Sequence, residues 1–143
     1  MMIYYFAYGS NMDSSQMARI CPSARVSGIG ILSDYRFIVN QRGLATVVPE
    51  TGKKVYGVVW ALAEGDLANL DDYEDVAGGL YSRVPAKVTL MRGAVSNAFI
   101  YVAANDQPGS PGSRYVEAIV AAATRHGFPE PYINELRMWL EEK

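Results

Sequence analysis

Cysteine and histidine are almost absent from this sequence of 143 residues. Cys21 and His126 are the single examples of each, so an internal disulfide cannot form and a zinc site built from cysteine and histidine is excluded. The same scarcity argues against Ser-His-Asp or Cys-His catalysis. His126 lies in a Thr-Arg-His-Gly segment that predicts a helix end, and Cys21 is interpreted as a packing residue. Chemistry is therefore expected from carboxylates, tyrosines, arginines, hydroxyls or backbone amides.

Long apolar runs and clustered charges are also lacking. No apolar stretch approaches the roughly 20 residues that a membrane-spanning helix needs. The N-terminus lacks the charged start and small-residue cleavage site of a signal peptide. The formal net charge is -2 and both signs are spread along the chain, whereas nucleic-acid binders usually carry a basic stripe. These features predict a soluble, cytoplasmic protein that binds neither membranes nor nucleic acid.

The hydrophobic pattern predicts an α+β fold in one domain that spans residues 1–143. Because the predicted strands follow one another through short turns, we expect mostly antiparallel pairing in a small barrel or curled sheet with helices packed against it. Glu50–Lys53 is predicted to be a polar turn. The predicted strands are 2–8, 24–32, 35–40, 44–48, 55–62, 81–91 and 96–103, and the predicted helices are 13–20, 64–75, 113–125 and one from Pro129 to about residue 142.

The segment Tyr8-Gly9-Ser10-Asn11 is the first candidate site. A strand ends at Gly9, and two polar residues lead into a predicted helix. Free backbone N–H groups and the positive end of the helix dipole meet at such a junction, which can hold a carboxylate or phosphate. A purely structural interpretation stays open, in which Gly9 makes the turn and Asn11 caps the helix.

Glu74 is the second candidate. In a helix over 64–75, Leu67, Leu70 and Glu74 project within roughly a 60° arc, which places the carboxyl group in the apolar stripe. Burial would raise its pKa toward the range that general acid–base catalysis needs. Two alternatives stay open: the helix ends before Glu74, which then faces water, or the neighbouring Asp71 is the reactive carboxylate. The other acids of this segment, Asp66, Asp72 and Asp75, are expected to be solvated.

Several motifs occur in the order found in the γ-glutamylcyclotransferase superfamily. Tyr8-Gly9-Ser10-Asn11-Met12 resembles its opening Tyr-Gly-Ser-Asn signature, and Leu70-Asp71-Asp72-Tyr73-Glu74 resembles its Leu-Asp-x-x-Glu segment. Each piece alone is weak, but the ordered set covers nearly the whole chain. The further pieces that resemble the family are Gly43–Val48, Val55–Trp60, Gly79-Leu80-Tyr81, and Ser110-Pro111 followed by Tyr115.

The resemblance implies a small antiparallel barrel and a reaction, without metal or cofactor, that releases 5-oxoproline from a γ-glutamyl amide. By position, it implies that Glu74 is the acid–base residue and that Tyr8, Gly9, Ser10 and Asn11 hold the glutamyl end of the substrate. It further implies that Tyr81 and Tyr115 line the pocket. The expected partner is a small γ-glutamyl compound, and the protein is expected to be a monomer or homodimer.

Two departures and three alternatives accompany this resemblance. The loop Asp75–Gly79 is rich in alanine and glycine, so the leaving-group side of the pocket is expected to differ from that of the family. The family often has glycine after the glutamate, whereas this sequence has Asp75, whose carboxylate would raise the pKa of Glu74 if it pointed inward. The substrate could instead be a γ-glutamylamine, with loops 75–80 and 105–113 deciding the choice. The chain could also be a non-catalytic binding module, or an interaction protein that uses an apolar C-terminal stripe made of Ile133, Leu136, Trp139 and Leu140.

Overall fold

The computed structural model describes residues 3–109 and 114–140, apart from the side chain of Arg114. Five strands, four α-helices and one 3₁₀ turn lie within these residues. The strands are β1 (Ile3–Ala7), β2 (Arg25–Val39), β3 (Ala45–Leu62), β4 (Tyr81–Leu90) and β5 (Val95–Ala103). The helices are α1 (Ser14–Ile20), α2 (Glu64–Tyr73), α3 (Arg114–Arg125) and α4 (Glu130–Arg137), and the 3₁₀ turn is Ser10–Met12.

The strands form a closed barrel in the order β1-β3-β2-β4-β5. Every neighbouring pair is antiparallel except the one that closes the barrel, where β1 runs parallel to β5 with Tyr5 opposite Phe99. The predicted α+β class, with a mostly antiparallel barrel flanked by helices, is confirmed.

Strands β2 and β3 are each longer than the sequence pattern predicts. The predicted strands 24–32 and 35–40 form one strand, and β3 continues through Pro49 and through the predicted turn Glu50–Lys53. That turn prediction is wrong, because these polar residues lie at an irregularity in the pairing of β2 with β3 and remain part of β3. The register shifts after Ser33, where Asp34 and Gly52 adopt φ values of 65° and 86°, and the Gly52 N–H donates to Asp34 Oδ1 at 3.0 Å. Proline and extra residues are tolerated at such a bulge.

A pair of facing glycines makes room for a ring in the barrel core. Gly30 on β2 lies opposite Gly57 on β3, and the fully buried Phe6 packs against both. A Cβ atom at Gly57 would lie 2.4 Å from the carbonyl oxygen of Ala7 and 2.7 Å from the Phe6 ring. The core at this level is therefore closely packed.

The acidic residues at the starts of α1 and α2 have roles that differ from the prediction. Asp13 caps α1, since its carboxylate accepts the Gln16 N–H at 3.1 Å, and the proposed Asn11 cap is wrong. Asp66 is buried rather than solvated, because its Oδ2 accepts the Ala63 N–H at 2.9 Å at the start of α2. Both carboxylates satisfy backbone donors that a helix N-terminus leaves without an intrahelical partner.

The C-terminal apolar stripe belongs to the core. Ile133 and Leu136 of α4 are buried, and Trp139 and Leu140 pack against the core from the turn that follows, so this stripe gives no support for an interaction protein. Gly127, with φ of 72°, ends α3 as predicted. The parts of the predictions that concern residues 1–2, 110–113 and 141–143 lie outside the described residues. None of the helices in residues 3–109 and 114–140 is long and apolar enough to cross a membrane.

Candidate active site

One cavity of about 160 Å³ brings the predicted site residues together. It lies where the end of β1, the end of α2, the start of β4 and the first turn of α3 meet. Residues far apart in sequence therefore share a single site, here called the Glu74 cavity. Its lining contains all seven predicted residues, Tyr8, Gly9, Ser10, Asn11, Glu74, Tyr81 and Tyr115, together with Tyr5, Leu44, Ala45, Tyr73, Leu80 and Tyr101.

Backbone donors line one side of the Glu74 cavity. After β1 ends, the Met12 N–H donates to the Gly9 carbonyl at 3.0 Å, and this bond forms the 3₁₀ turn. The Trp60 Nε1–H donates to the Asn11 carbonyl at 3.0 Å and holds the segment against the barrel. Among the described residues, the N–H groups of Gly9, Ser10 and Asn11 donate to no backbone carbonyl. These three N–H groups therefore lack a backbone acceptor, as is usual at the start of a helical turn.

Glu74 reaches the cavity from the C-terminal end of α2. The helix ends at Tyr73 and Glu74 is its C-cap, so the predicted helical span 64–75 is too long. The alternative in which the helix ends before Glu74 is therefore correct about the helix end. Its second part, that Glu74 faces water, is wrong, since Glu74 is only partly exposed and lines the cavity. Burial raises the pKa of its carboxyl group to about 7. Its polar contact among the described residues is Asn11 Nδ2, 3.5 Å from Glu74 Oε1.

The neighbouring carboxylates point elsewhere. Asp71 accepts the Tyr101 hydroxyl at 2.7 Å and forms a 2.6 Å ion pair with Arg83, so it is engaged outside the cavity lining. Asp75 is exposed, and its Oδ1 accepts the Gly78 N–H at 3.2 Å. Asp75 does not line the cavity, so the condition set for its effect on the pKa of Glu74, an inward-pointing carboxylate, is not met. Burial is the cause of the raised pKa. Asp75 has a φ of 52°, a conformation that favours glycine and explains why glycine suits this position.

Neutral tyrosines form the remaining polar wall. The Tyr8 hydroxyl donates to the Tyr101 carbonyl, the Tyr81 hydroxyl donates to the Ala45 carbonyl at 2.7 Å, and the Tyr115 hydroxyl accepts the Ala45 N–H at 3.3 Å. Burial raises the pKa of Tyr8 and Tyr81 and raises the pKa of Tyr115 to about 12. These hydroxyls therefore stay protonated at neutral pH, where Glu74 titrates.

Sequence reasoning missed the side chains that hold the site in place. Gln16 Nε2 lies 2.9 Å from Ser10 Oγ, 3.0 Å from Asn11 Oδ1 and 2.8 Å from the Tyr73 hydroxyl. The Tyr5 hydroxyl accepts from Asn11 Nδ2 at 3.0 Å. Tyr5 did carry a signal, because a tyrosine in a buried strand needs a partner for its hydroxyl. Gln16 carried none, since one glutamine on a short helix has no distinctive pattern.

Cys21 and His126 are structural, as predicted. Burial raises the pKa of the Cys21 thiol to about 12, which keeps it protonated and unreactive. The His126 ring nitrogen Nε2 lies 2.9 Å from the Met12 carbonyl, so the end of α3 contacts the 3₁₀ turn. Neither side chain lines the Glu74 cavity.

A sequence model of the AIG2-like family matches residues 54–136, more than half of the chain. The chain belongs to the AIG2-like family. This match covers α2 and Glu74, together with β4, β5 and α3. The predicted resemblance of this AIG2-like chain to the γ-glutamylcyclotransferase superfamily is confirmed by two further comparisons.

The first comparison is with named relatives, and the second is with solved structures. The AIG2-like chain is 29% identical to the gamma-glutamylcyclotransferases of Mus musculus and of Homo sapiens, and each match covers 93% of this chain and 76% of the relative. A solved gamma-glutamyl cyclotransferase superposes with a TM-score of 0.91 at 27% identity, covering all of this chain and 90% of the other. The similarity therefore extends over the barrel and the helices that build the Glu74 cavity.

Proposed function

We propose that this protein is a cyclotransferase that releases 5-oxoproline from a γ-glutamyl amide, with Glu74 as its acid–base residue. The observation that carries the proposal is the Glu74 carboxyl group, which has a pKa of about 7 and lies in a tyrosine-lined cavity that Gly9–Asn11 also line. The relatives named gamma-glutamylcyclotransferase support the same reaction class.

The reaction needs a proton carrier and no nucleophile from the enzyme. In a γ-glutamyl amide, the α-amino nitrogen attacks the γ-carbonyl carbon of the same molecule, a C–N bond forms, and the amide C–N bond breaks to release an amine. Glu74 takes a proton from the attacking amine and gives a proton to the leaving nitrogen. A carboxyl group with a pKa near 7 suits both transfers, which typically contribute about 10²–10⁴ to the rate.

The other lining residues orient the substrate. We propose that the N–H groups of Gly9, Ser10 and Asn11 bind the carboxylate at the glutamyl end. The same donors would stabilise negative charge that develops near them. The neutral hydroxyls of Tyr8, Tyr81 and Tyr115 would line the pocket and hold the chain folded for ring closure. Correct orientation alone can lower the barrier by several kcal/mol.

Replacement of Glu74 by glutamine tests the assignment. Glu74→Gln keeps the size of the side chain but cannot carry the proton, so we expect 5-oxoproline release to fall by at least about a hundredfold. The assay uses γ-glutamyl-alanine and ε-(γ-glutamyl)-lysine, and circular dichroism checks the fold. Asp72→Asn is the matched control, because Asp72 is an exposed carboxylate of the same helix that does not line the cavity.

Each result leads to one conclusion. Near-normal turnover by Glu74→Gln rejects Glu74 as the acid–base residue. If the wild type turns over only ε-(γ-glutamyl)-lysine, the γ-glutamylamine alternative is correct. If a γ-glutamyl compound binds without turnover, the chain is a binding module and the enzymatic proposal fails.

The remaining proposals concern the whole protein. We propose that residues 1–143 act as a single cytoplasmic domain, as a monomer or homodimer, on a small γ-glutamyl compound. Light scattering coupled to size-exclusion chromatography measures the mass in solution against the 15.7 kDa chain. A mass near twice this value would establish the dimer.

A further inference from the structure

We infer that the groove beside the Glu74 cavity binds the leaving half of the substrate and that Arg42 recognises a carboxylate on it. This inference rests on the proposed function and adds a specificity-determining residue to it. The groove, here called the Arg42 groove, has a volume of about 310 Å³. It is lined by Asn40, Arg42, Gly79, Leu80, Ala104 and Asn105.

Two chain segments connect the groove to the Glu74 cavity. Leu80 lines both, and Tyr81, the next residue, lines the cavity. The turn that carries Asn40 and Arg42 leads directly to Leu44 in the cavity wall. Asn40 Oδ1 accepts the N–H groups of Arg42 and Leu44, at 2.9 and 3.1 Å, and so fixes this turn. A ligand held at Glu74 can therefore extend past Leu80 into the groove.

The small volume of the Glu74 cavity also favours such an extension. Pockets for small molecules usually measure about 300–1,000 Å³, and the cavity of about 160 Å³ falls short of this range. A γ-glutamyl dipeptide would span the two spaces, with its glutamyl half near Gly9–Asn11. No residue of that segment lines the Arg42 groove, which leaves the groove to the amine that departs.

Arg42 gives the groove its chemical preference. Its side chain is exposed, and it forms no ion pair with the described carboxylates. The described lining of the Glu74 cavity contains no lysine or arginine, and that of the groove contains no aspartate or glutamate. A guanidinium group pairs well with a carboxylate. A leaving group that carries a carboxylate, as an α-amino acid does, is thus favoured over a plain alkylamine.

The test compares two substrates that differ only in this carboxylate. For γ-glutamyl-alanine and γ-glutamyl-ethylamide, kcat/KM is measured with wild type, Arg42→Gln, Arg42→Lys and Arg19→Gln. Arg19 is an exposed arginine of α1 that lines neither space, so its replacement removes the same charge elsewhere. We expect wild type and Arg19→Gln to prefer γ-glutamyl-alanine. In Arg42→Gln the preference should fall about five- to tenfold, as expected for one partly exposed charged hydrogen bond.

Two further readouts support or overturn the inference. Arg42→Lys should keep part of the preference, and added salt should reduce it in the wild type, because salt screens exposed charges. An unchanged preference in Arg42→Gln overturns the inference while the proposed reaction stands. Equal loss on both substrates also overturns it, since Arg42 would then contact the glutamyl half. If the wild type releases 5-oxoproline from ε-(γ-glutamyl)-lysine but from neither of these two substrates, the inference fails while the proposed reaction class stands. Release from none of the three compounds makes both fail.

Discussion

Glu74 lies in surroundings that favour the protonated form of its carboxyl group. The position is useful for proton transfer, but it makes the ionised form unfavourable for the fold. Burial raises the pKa from 4.5 to about 7 in the folded protein, so the folded state binds the proton more tightly than the unfolded state. Stability contributed by this group is therefore fully present below pH 4.5 and is lost as the pH rises through about 7.

The stability of Glu74→Gln should reveal this linkage. Because glutamine does not ionise, the variant should be more stable than the wild type above about pH 8, by about 1–2 kcal/mol after allowance for partial exposure. Near pH 4.5 the two proteins should be similarly stable. Urea unfolding at both pH values measures the difference. A variant that is less stable than the wild type at high pH would contradict the assigned burial of this carboxyl group.

At the residue scale, sequence reasoning found the candidate residues more reliably than their contacts. Tyr8, Glu74 and Tyr115 line one cavity as predicted, because the motifs that carry them were identifiable. The role of Asn11 as a helix cap was wrong, since its side chain contacts Tyr5 and Glu74 instead. Orientation depends on neighbours that fold against a residue from elsewhere in the chain, and spacing along one segment does not contain that information.

Helix α1 connects the site to the C-terminal helices. Asp13 caps it, and Oδ1 of the same carboxylate forms a 3.1 Å ion pair with Arg125 at the end of α3. Gln16, in the first turn of α1, contacts both Ser10 and Asn11. The beginning of this short helix therefore positions residues that line the Glu74 cavity.

Replacement of Asp13 should show that its capping hydrogen bond contributes more to the free energy of unfolding than its ion pair with Arg125. We expect Asp13→Ala to lower the free energy of unfolding by about 1 kcal/mol, because the Gln16 N–H loses its acceptor. Asp13→Asn keeps a capping oxygen and should remain within about 0.5 kcal/mol of the wild type, since exposed ion pairs contribute little. Urea unfolding of both variants distinguishes the two contributions. Equal losses would mean that the ion pair to Arg125 dominates.

At the element scale, the existence of most elements was predictable and the extent of β2 and β3 was not. Polar residues with glycine, as in Glu50–Lys53, normally indicate a turn. Here β2 and β3 are paired on both sides of a bulge. At the bulge, Asp34 and Gly52 adopt left-handed conformations, and the Gly52 N–H donates to the Asp34 carboxylate. Only the pairing of β2 with β3 makes this arrangement possible, and the residue pattern within one strand does not show it.

The barrel as a whole depends on the close approach of β1 and β3 at Gly57. Phe6 fills the space that the missing side chains of Gly30 and Gly57 leave. A methyl group at Gly57 would collide with the backbone of Ala7 as well as with this ring. Backbone atoms cannot move away as a flexible side chain can, so the packing tolerates little change here.

Two glycine-to-alanine replacements should therefore act in opposite directions. Gly57→Ala should lower the free energy of unfolding by about 1–3 kcal/mol through overpacking. Gly65→Ala should raise it by about 0.5–1 kcal/mol, because Gly65 is helical and a Cβ atom there meets nothing within 4 Å. Thermal and urea unfolding measure both changes. A neutral Gly57→Ala would show that β1 and β3 can separate without loss of stability.

The parallel contact between β1 and β5 joins residues that are distant in the chain. Tyr5 stacks on Phe99 with ring centroids 5.3 Å apart, and Tyr5 also supports Asn11 in the Glu74 cavity. During synthesis, the segment Tyr8–Asn11 leaves the ribosome long before β5 is available to close the barrel. Nascent chains that stop before Val95 would contain Glu74 and the Gly9–Asn11 segment without the strand that closes the barrel beside them. Cyclotransferase activity should therefore emerge late in translation, when α3 completes the wall of the site.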